Sequence, residues 1–239
     1  LGKYFFEVQE RSGGRVLWLS GLCWCVMFTA FMLAITLTTV ANVLVTMALA
    51  PLLTALIARF ALHHQLATRT WAAIALAGAG IAWMYGQELM GGNHLVGTLV
   101  ALAVPIAAAV NWTLIQSLRS RSEAPDMLPA VLIGALLSAA ITLPLAWPLA
   151  ASRHDIGLLA MLGVVQLAIP CLMSVVVART LPAPEMSLLA LLEVIFGVAW
   201  AWLGANETPT AAVLGGGALV LVALAGNELL ALHARAAAS

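Results

Sequence analysis

Charge is scarce in this sequence. Asp, Glu, Lys and Arg make up 8% of the chain, where a soluble globular domain carries about 25%. A chain so poor in charge cannot cover itself with a hydrated surface, which excludes a soluble domain. The few charges cancel to a formal net charge of +0. Without a basic excess there is no electrostatic footprint for nucleic acid. Cysteine is limited to Cys23, Cys25 and Cys171, each inside an apolar run. On a helix Cys23 and Cys25 point to different faces, and no CxxC is present, so they read as buried thiols and not as a disulfide or zinc framework. His63, His64, His94, His154 and His233 fall in loops or at helix ends. No span carries two histidines and a carboxylate at helical spacing, which argues against a membrane metalloenzyme. No GxxxxGK[ST] pattern is present for nucleotide hydrolysis, and no Ser-His-Asp set falls at one depth. No catalytic residue, metal ligand set or cofactor is therefore expected. No cleavable signal peptide is visible.

What the chain has is apolar length. Its residues are 63% hydrophobic, with a mean hydropathy of +1.05. A helix needs about 20 apolar residues to cross the hydrocarbon of a bilayer. On that ruler the sequence predicts eight spans: Val16–Leu37, Val40–Leu62, Thr70–Gly86, Gly97–Leu118, Leu128–Leu149, Ile156–Ala178, Met186–Gly204 and Ala211–Leu232. The connections are short and polar or marked by Pro and Gly. The expected fold class is an all-α polytopic membrane protein. Cytoplasmic loops retain Lys and Arg. Threading the spans alternately puts Lys3, Arg11, Arg15, Arg59, Arg69, Arg119, Arg121, Arg179 and Arg235 on one side and Arg153 alone on the other. Both visible termini are therefore expected in the cytoplasm.

The chain also repeats itself. One fixed offset carries Val43–Ala61 onto Met186–Gly204, Trp71 onto Leu214 and Gly80 onto Ala223. The same offset carries the basic positions Arg59 and Arg69 onto Trp202 and Ala212, so only one copy has a basic loop there. An odd number of helices per copy produces this, because the second copy then enters the membrane inverted. The second repeat holds five helices over residues 97–232. The first, residues 1–86, holds three full helices, and LGKYFF at the start falls where a second helix should end. The expectation is eight visible transmembrane helices of ten, in two inverted five-helix repeats. The alternative is an eight-helix protein with a short amphipathic start. Inverted repeats are an architecture of secondary transporters, with the substrate near the midplane at the repeat interface.

The paired runs LTTVANVLVTMALAPLLTALIARFAL with TRTWAAIALAGAGIAWM, and LPAPEMSLLALLEVIFGVAWAWLG with TPTAAVLGGGALVLVALAG, resemble the paired signature of EamA-type transporters of the drug/metabolite transporter superfamily. In that family each five-helix half has such a hairpin, often with a Leu-Glu-Pro-like turn. Here Leu192-Glu193 is followed by Val194, and the first copy has Ala50-Pro51 without an acid. The resemblance implies a ten-helix inner-membrane carrier with a central cavity, amino-acid exporters being a characterised kind.

Polar residues deep in spans are the candidates for cavity work. Glu193 stands near the middle of a membrane-length run and is expected to point into the protein, where it could hold a substrate ammonium or a proton, or bond a neighbouring helix. Asn111 and Trp112, with Gln116, lie late in the fourth span; the amide of Asn111 suits a polar substrate group or an interhelical bond. Gln166 precedes Pro170 by one turn, and a proline within a span frees a carbonyl and kinks the helix. Pro170, Pro51 and Pro105 are the hinge candidates. Trp24 recurs with Phe28 and Phe31 along one face, either lining a cavity or packing. The small-residue runs at Ala72–Gly80 and Gly215–Ala225 let helices approach closely and offer contacts for a homodimer.

The sequence thus points to a secondary transporter that exports small organic metabolites, amino acids among them, across the bacterial inner membrane by alternating access. Its partners are a small-molecule substrate and the lipid bilayer, and either the substrate gradient or proton coupling supplies the energy. Two alternatives stay open. One is an integral membrane enzyme on a lipid-linked substrate, for which Arg153, His154 and Asp155 are the nearest approach to a cluster. The other is a non-transporting scaffold subunit.

Overall fold

A computed structural model describes residues 14–61, 67–91, 95–119, 127–177, 183–205 and 208–236. Every regular element among the described residues is helical. LGKYFF and the span ends Leu62 and Ala178 lie outside them, as do the side chains of Gln116 and Met186. Among the described residues, five helical stretches are long and apolar enough to cross a membrane.

The first span is one helix, α1 (Gly14–Leu37). The second is broken into α2 (Val40–Met47) and α3 (Ala50–Ala61). Thr39 starts α2, its hydroxyl accepting from the backbone N–H of Asn42. The break at Ala48–Leu49 follows from Pro51, which has no N–H to return to Met47 and so ends the ladder that α2 began. There the backbone tightens, with the Leu49 N–H donating to the Thr46 carbonyl. α4 (Thr68–Gly91) and α5 (Leu95–Arg119) are continuous, and α5 carries Pro105 inside it without interruption.

The fifth span is shorter than expected. α6 (Leu128–Thr142) stops ahead of Pro144, and residues 143–152 turn and run without helix. Pro144 cannot donate to the preceding turn, and Pro148 biases Trp147 toward extended backbone. Ser152 then opens the next helix with a reciprocal cap: its hydroxyl accepts from the Asp155 N–H, and the Asp155 carboxylate accepts from the Ser152 N–H. The sixth span therefore runs as α7 (Arg153–Met161), a π-helical segment (Leu162–Ala168) and α8 (Ile169–Val177). The widened segment ends just before Pro170, whose missing donor would otherwise leave the carbonyl of Gln166 unmatched. α9 (Ala183–Ala205) and α10 (Ala211–Ala236) complete the chain.

The contacts fix how the helices run. Ser20 bonds Asn111 while Leu37 abuts Gly97, so α1 and α5 are antiparallel. Gly21 meets Ile133 and Thr29 bonds Ser138, so α1 and α6 are parallel. Thr70 bonds Asn227 while Gly80 meets Gly216, so α4 and α10 are antiparallel. At that crossing a methyl on Gly80 would stand 2.7 Å from the Gly216 carbonyl oxygen; only glycine lets the backbones come so close.

The apolar packing falls into two bodies. One core joins α2, α3, α4, α9 and α10 through Leu44, Val45, Ala77, Met84, Val194 and Val220. The other joins α1 and α6 through Leu17, Trp24, Phe28, Val131 and Ile133, with Cys171 of α8 against it. Between them lies a small third cluster, Ala34, Val43 and Ala101, where α1, α2 and α5 meet. The stretch Arg153–Ser174 has no buried residue.

Candidate functional site

The seam between the two bodies is where polar chemistry is concentrated. α2 stands in it, only 8 residues long and buried from Ala41 to Thr46. Two of its apolar side chains key into the first body: Leu44 fills the notch at Gly197 of α9, and Val45 the notch at Gly217 of α10. Its polar side chains reach α5 and α4. The Asn42 amide nitrogen donates to Thr98 Oγ1 of α5 at 2.7 Å and to Thr38 Oγ1 at 2.9 Å. Thr46 Oγ1 donates to the Asn42 carbonyl at 2.8 Å and lies 3.2 Å from the Tyr85 hydroxyl of α4. Tyr85 in turn donates to the Thr98 carbonyl at 3.4 Å. Asn42, 0% exposed, thus ties α2 to α5, and the Tyr85 hydroxyl of α4 meets both helices through Thr46 and Thr98.

Within that network Asn42 Oδ1 is enclosed and has no partner. Exchanging the two amide atoms would let the threonine hydroxyls donate to the oxygen, but would strand the nitrogen instead. Either way one amide atom stays unpaired, and a buried unpaired polar group costs about 1–3 kcal/mol. A network that carries such a cost holds less tightly than its bond count suggests.

The residues singled out from sequence are distributed as follows. Asn111 is fully buried in the α1–α5 contact, its Oδ1 accepting from Ser20 at 2.6 Å and its Nδ2 enclosed without a partner. Trp112 beside it is half-buried. Trp24 is 5% exposed and packs on Phe28, ring centroids 5.4 Å apart, in the α1–α6 core. Glu193 projects from the exposed face of α9, just before the buried Val194. Gln166 is exposed in the π-helical segment, and Pro170 follows it, also exposed. Pro51 marks the α2–α3 break, and Pro105 is buried in α5. The structure therefore buries Asn111 of α5 and Trp24 of α1 in the packing around α1, and leaves Glu193 and Gln166 on uncovered faces of α9 and the sixth span.

Sequence reasoning passed over Asn42, Thr46, Tyr85 and Thr98. A signal for the first two was present: Thr38, Asn42 and Thr46 recur every four positions, one stripe of a helix, in a stretch that was read partly as a connection. Among the described residues no cluster of His, Cys, Asp and Glu could hold a metal ion. No family model, curated protein or solved structure matches the chain.

Proposed function

We propose that this chain is a secondary transporter that moves small organic molecules, amino acids among them, across the bacterial inner membrane by alternating access, and that it is built from two inverted five-helix halves. The observation that carries the reading is the seam. Two apolar bodies meet across a short, broken, buried helix, where a small apolar cluster and the Asn42–Thr98 hydrogen bond join them. Discontinuous helices with polar groups at a repeat interface are what carriers use to bind and to rock. A scaffold subunit has no need of an interrupted span, and a membrane enzyme would need a cluster of acids, bases or ligands beside it.

The repeat supports the same reading. The offset that relates the copies carries Gly14 onto Gly157, so the sixth span is the image of α1. α1 is clasped by α5 and α6, whereas its image has no buried residue. In an inverted repeat that bare face receives the images of α5 and α6, the two further helices of the proposed ten. Glu193, on the neighbouring face of α9, then looks into the enclosed space, where a carboxylate would hold an ammonium group or a proton. The end of the bundle that gathers Arg15, Arg69 and the C-terminal end of α10 is the cytoplasmic one under the positive-inside rule.

Glu193→Gln tests the role given to the acid. In proteoliposomes the variant is expected to lose at least tenfold in amino-acid counterflow and to lose the pH dependence of the rate. An unchanged rate with an unchanged pH profile would remove Glu193 from the mechanism.

A further inference from the structure

A second feature lies on the outer side of the α1–α6 pair. An open groove of about 490 Å³ is lined by Arg15, Trp18, Leu19, Leu22 and Leu137. A second groove of about 200 Å³ shares Trp18 and Leu137 with it and runs on along Leu132 and Leu136. Trp18, Leu22 and Leu136 are 46%, 52% and 62% exposed. Among the described residues Arg15 is the one charged residue in either lining, and it stands in the first turn of α1, at the end of the groove. From Arg15 to Leu22 the helix rises about 10 Å, a distance that would take the groove from the headgroups into the hydrocarbon of a bilayer whose surface lies at Arg15.

Among the described residues, that end of the groove carries positive charge. Because α1 and α6 are parallel, their N-terminal ends lie side by side, each carrying roughly half a positive charge. The residue before α6, Met127, makes no side-chain cap bond. Arg15 adds a full charge, in a fork that matches a phosphate. Trp18 supplies an aromatic ring with a polar edge at the depth where such rings favour the interface. Below it the lining is leucine.

We propose that this groove binds one anionic glycerophospholipid, with its phosphate on Arg15 and an acyl chain laid along Trp18, Leu22 and Leu137. A peptide partner would find no hydrogen-bonding side chain in the leucine floor, whereas an acyl chain needs none. Basic pockets between membrane helices on the cytoplasmic side are where acidic lipid headgroups bind. The assignment depends on the membrane setting alone and stands or falls separately from the transport reading.

The test uses the full chain in detergent, equilibrated with equal amounts of phosphatidylglycerol and phosphatidylcholine bearing the same acyl chains, and counts retained lipids by native mass spectrometry. Wild type is expected to retain one phosphatidylglycerol, about fivefold over phosphatidylcholine, the preference one cation near the surface confers. Arg15→Gln is expected to bring the ratio to about one, while Arg153→Gln, at the opposite end of the bundle, leaves it intact. Leu137→Trp fills the groove and keeps the charge, and is expected to lose the retained lipid. Equal retention of both lipids by wild type, a preference that survives Arg15→Gln, or retention unchanged in Leu137→Trp would each overturn the assignment. So would displacement of the lipid by inorganic phosphate at equal concentration, which would show a site that reads the anion alone.

Discussion

Asn42 concentrates the energetics of the seam in one side chain. It is fully buried, it bridges α2 to α5, and one of its amide atoms has no partner. Removing the amide breaks the bridge but also removes the unpaired atom, so the two effects oppose. Interhelical hydrogen bonds in membrane proteins average about 0.6 kcal/mol and reach about 1.7. A double-mutant cycle of Asn42→Ala and Thr98→Ala is expected to give a coupling energy in that range, read by reversible unfolding in detergent. A coupling of zero would mean that the bond is not formed in the folded protein. The polar stripe of Thr38, Asn42 and Thr46 was legible as spacing, but its partners Tyr85 and Thr98 lie on other helices, and periodicity within one segment cannot name a neighbour on another. Glu193 shows the opposite case. Its rarity in an apolar run was visible at once, yet which face of α9 would be covered depended on helices it does not sit beside in sequence.

At the scale of elements, glycine and proline decide where helices touch and where they stop. Gly80 and Gly78 lie on the same helix and differ only in what they face. A methyl at Gly80 would stand 2.7 Å from the Gly216 carbonyl oxygen, whereas at Gly78 nothing lies within 4 Å. Gly80→Ala is therefore expected to cost about 1–3 kcal/mol by forcing α4 from α10. Gly78→Ala should stabilise by about 0.5–1 kcal/mol through helix propensity. Parallel thermal unfolding of the two variants checks the pair; equal effects would mean that α4 and α10 do not cross at Gly80. The helices themselves were readable from apolar length, with two exceptions of one cause. Pro51 divided the second span, and Pro144 with Pro148 shortened the fifth. A hydropathy window averages a proline with its apolar neighbours and is blind to its missing N–H, so both breaks fall inside runs of continuous apolar character.

At the scale of the whole molecule, the arrangement is two apolar bodies joined by a small apolar cluster and the Asn42–Thr98 bond. The directions of the helices, parallel for α1 with α6 and antiparallel for α1 with α5 and α4 with α10, match alternate threading through a membrane. That much followed from the order and length of the runs. The seam did not, because it is made by contacts between residues dozens of positions apart, and only a fold brings them together. The account's central claim is that the two bodies move against each other during transport and that the Asn42–Thr98 contact must open. The most direct measurement joins those positions. With Cys23, Cys25 and Cys171 replaced, Asn42→Cys and Thr98→Cys are introduced together and bridged by a short reducible thiol cross-linker in proteoliposomes. Counterflow of a labelled amino-acid mixture is followed before bridging, after it, and after reduction. The account predicts saturable exchange that falls at least tenfold on bridging and returns when the bridge is cut. Exchange that continues unchanged with the two helices joined, or no protein-dependent exchange at any stage, would contradict it.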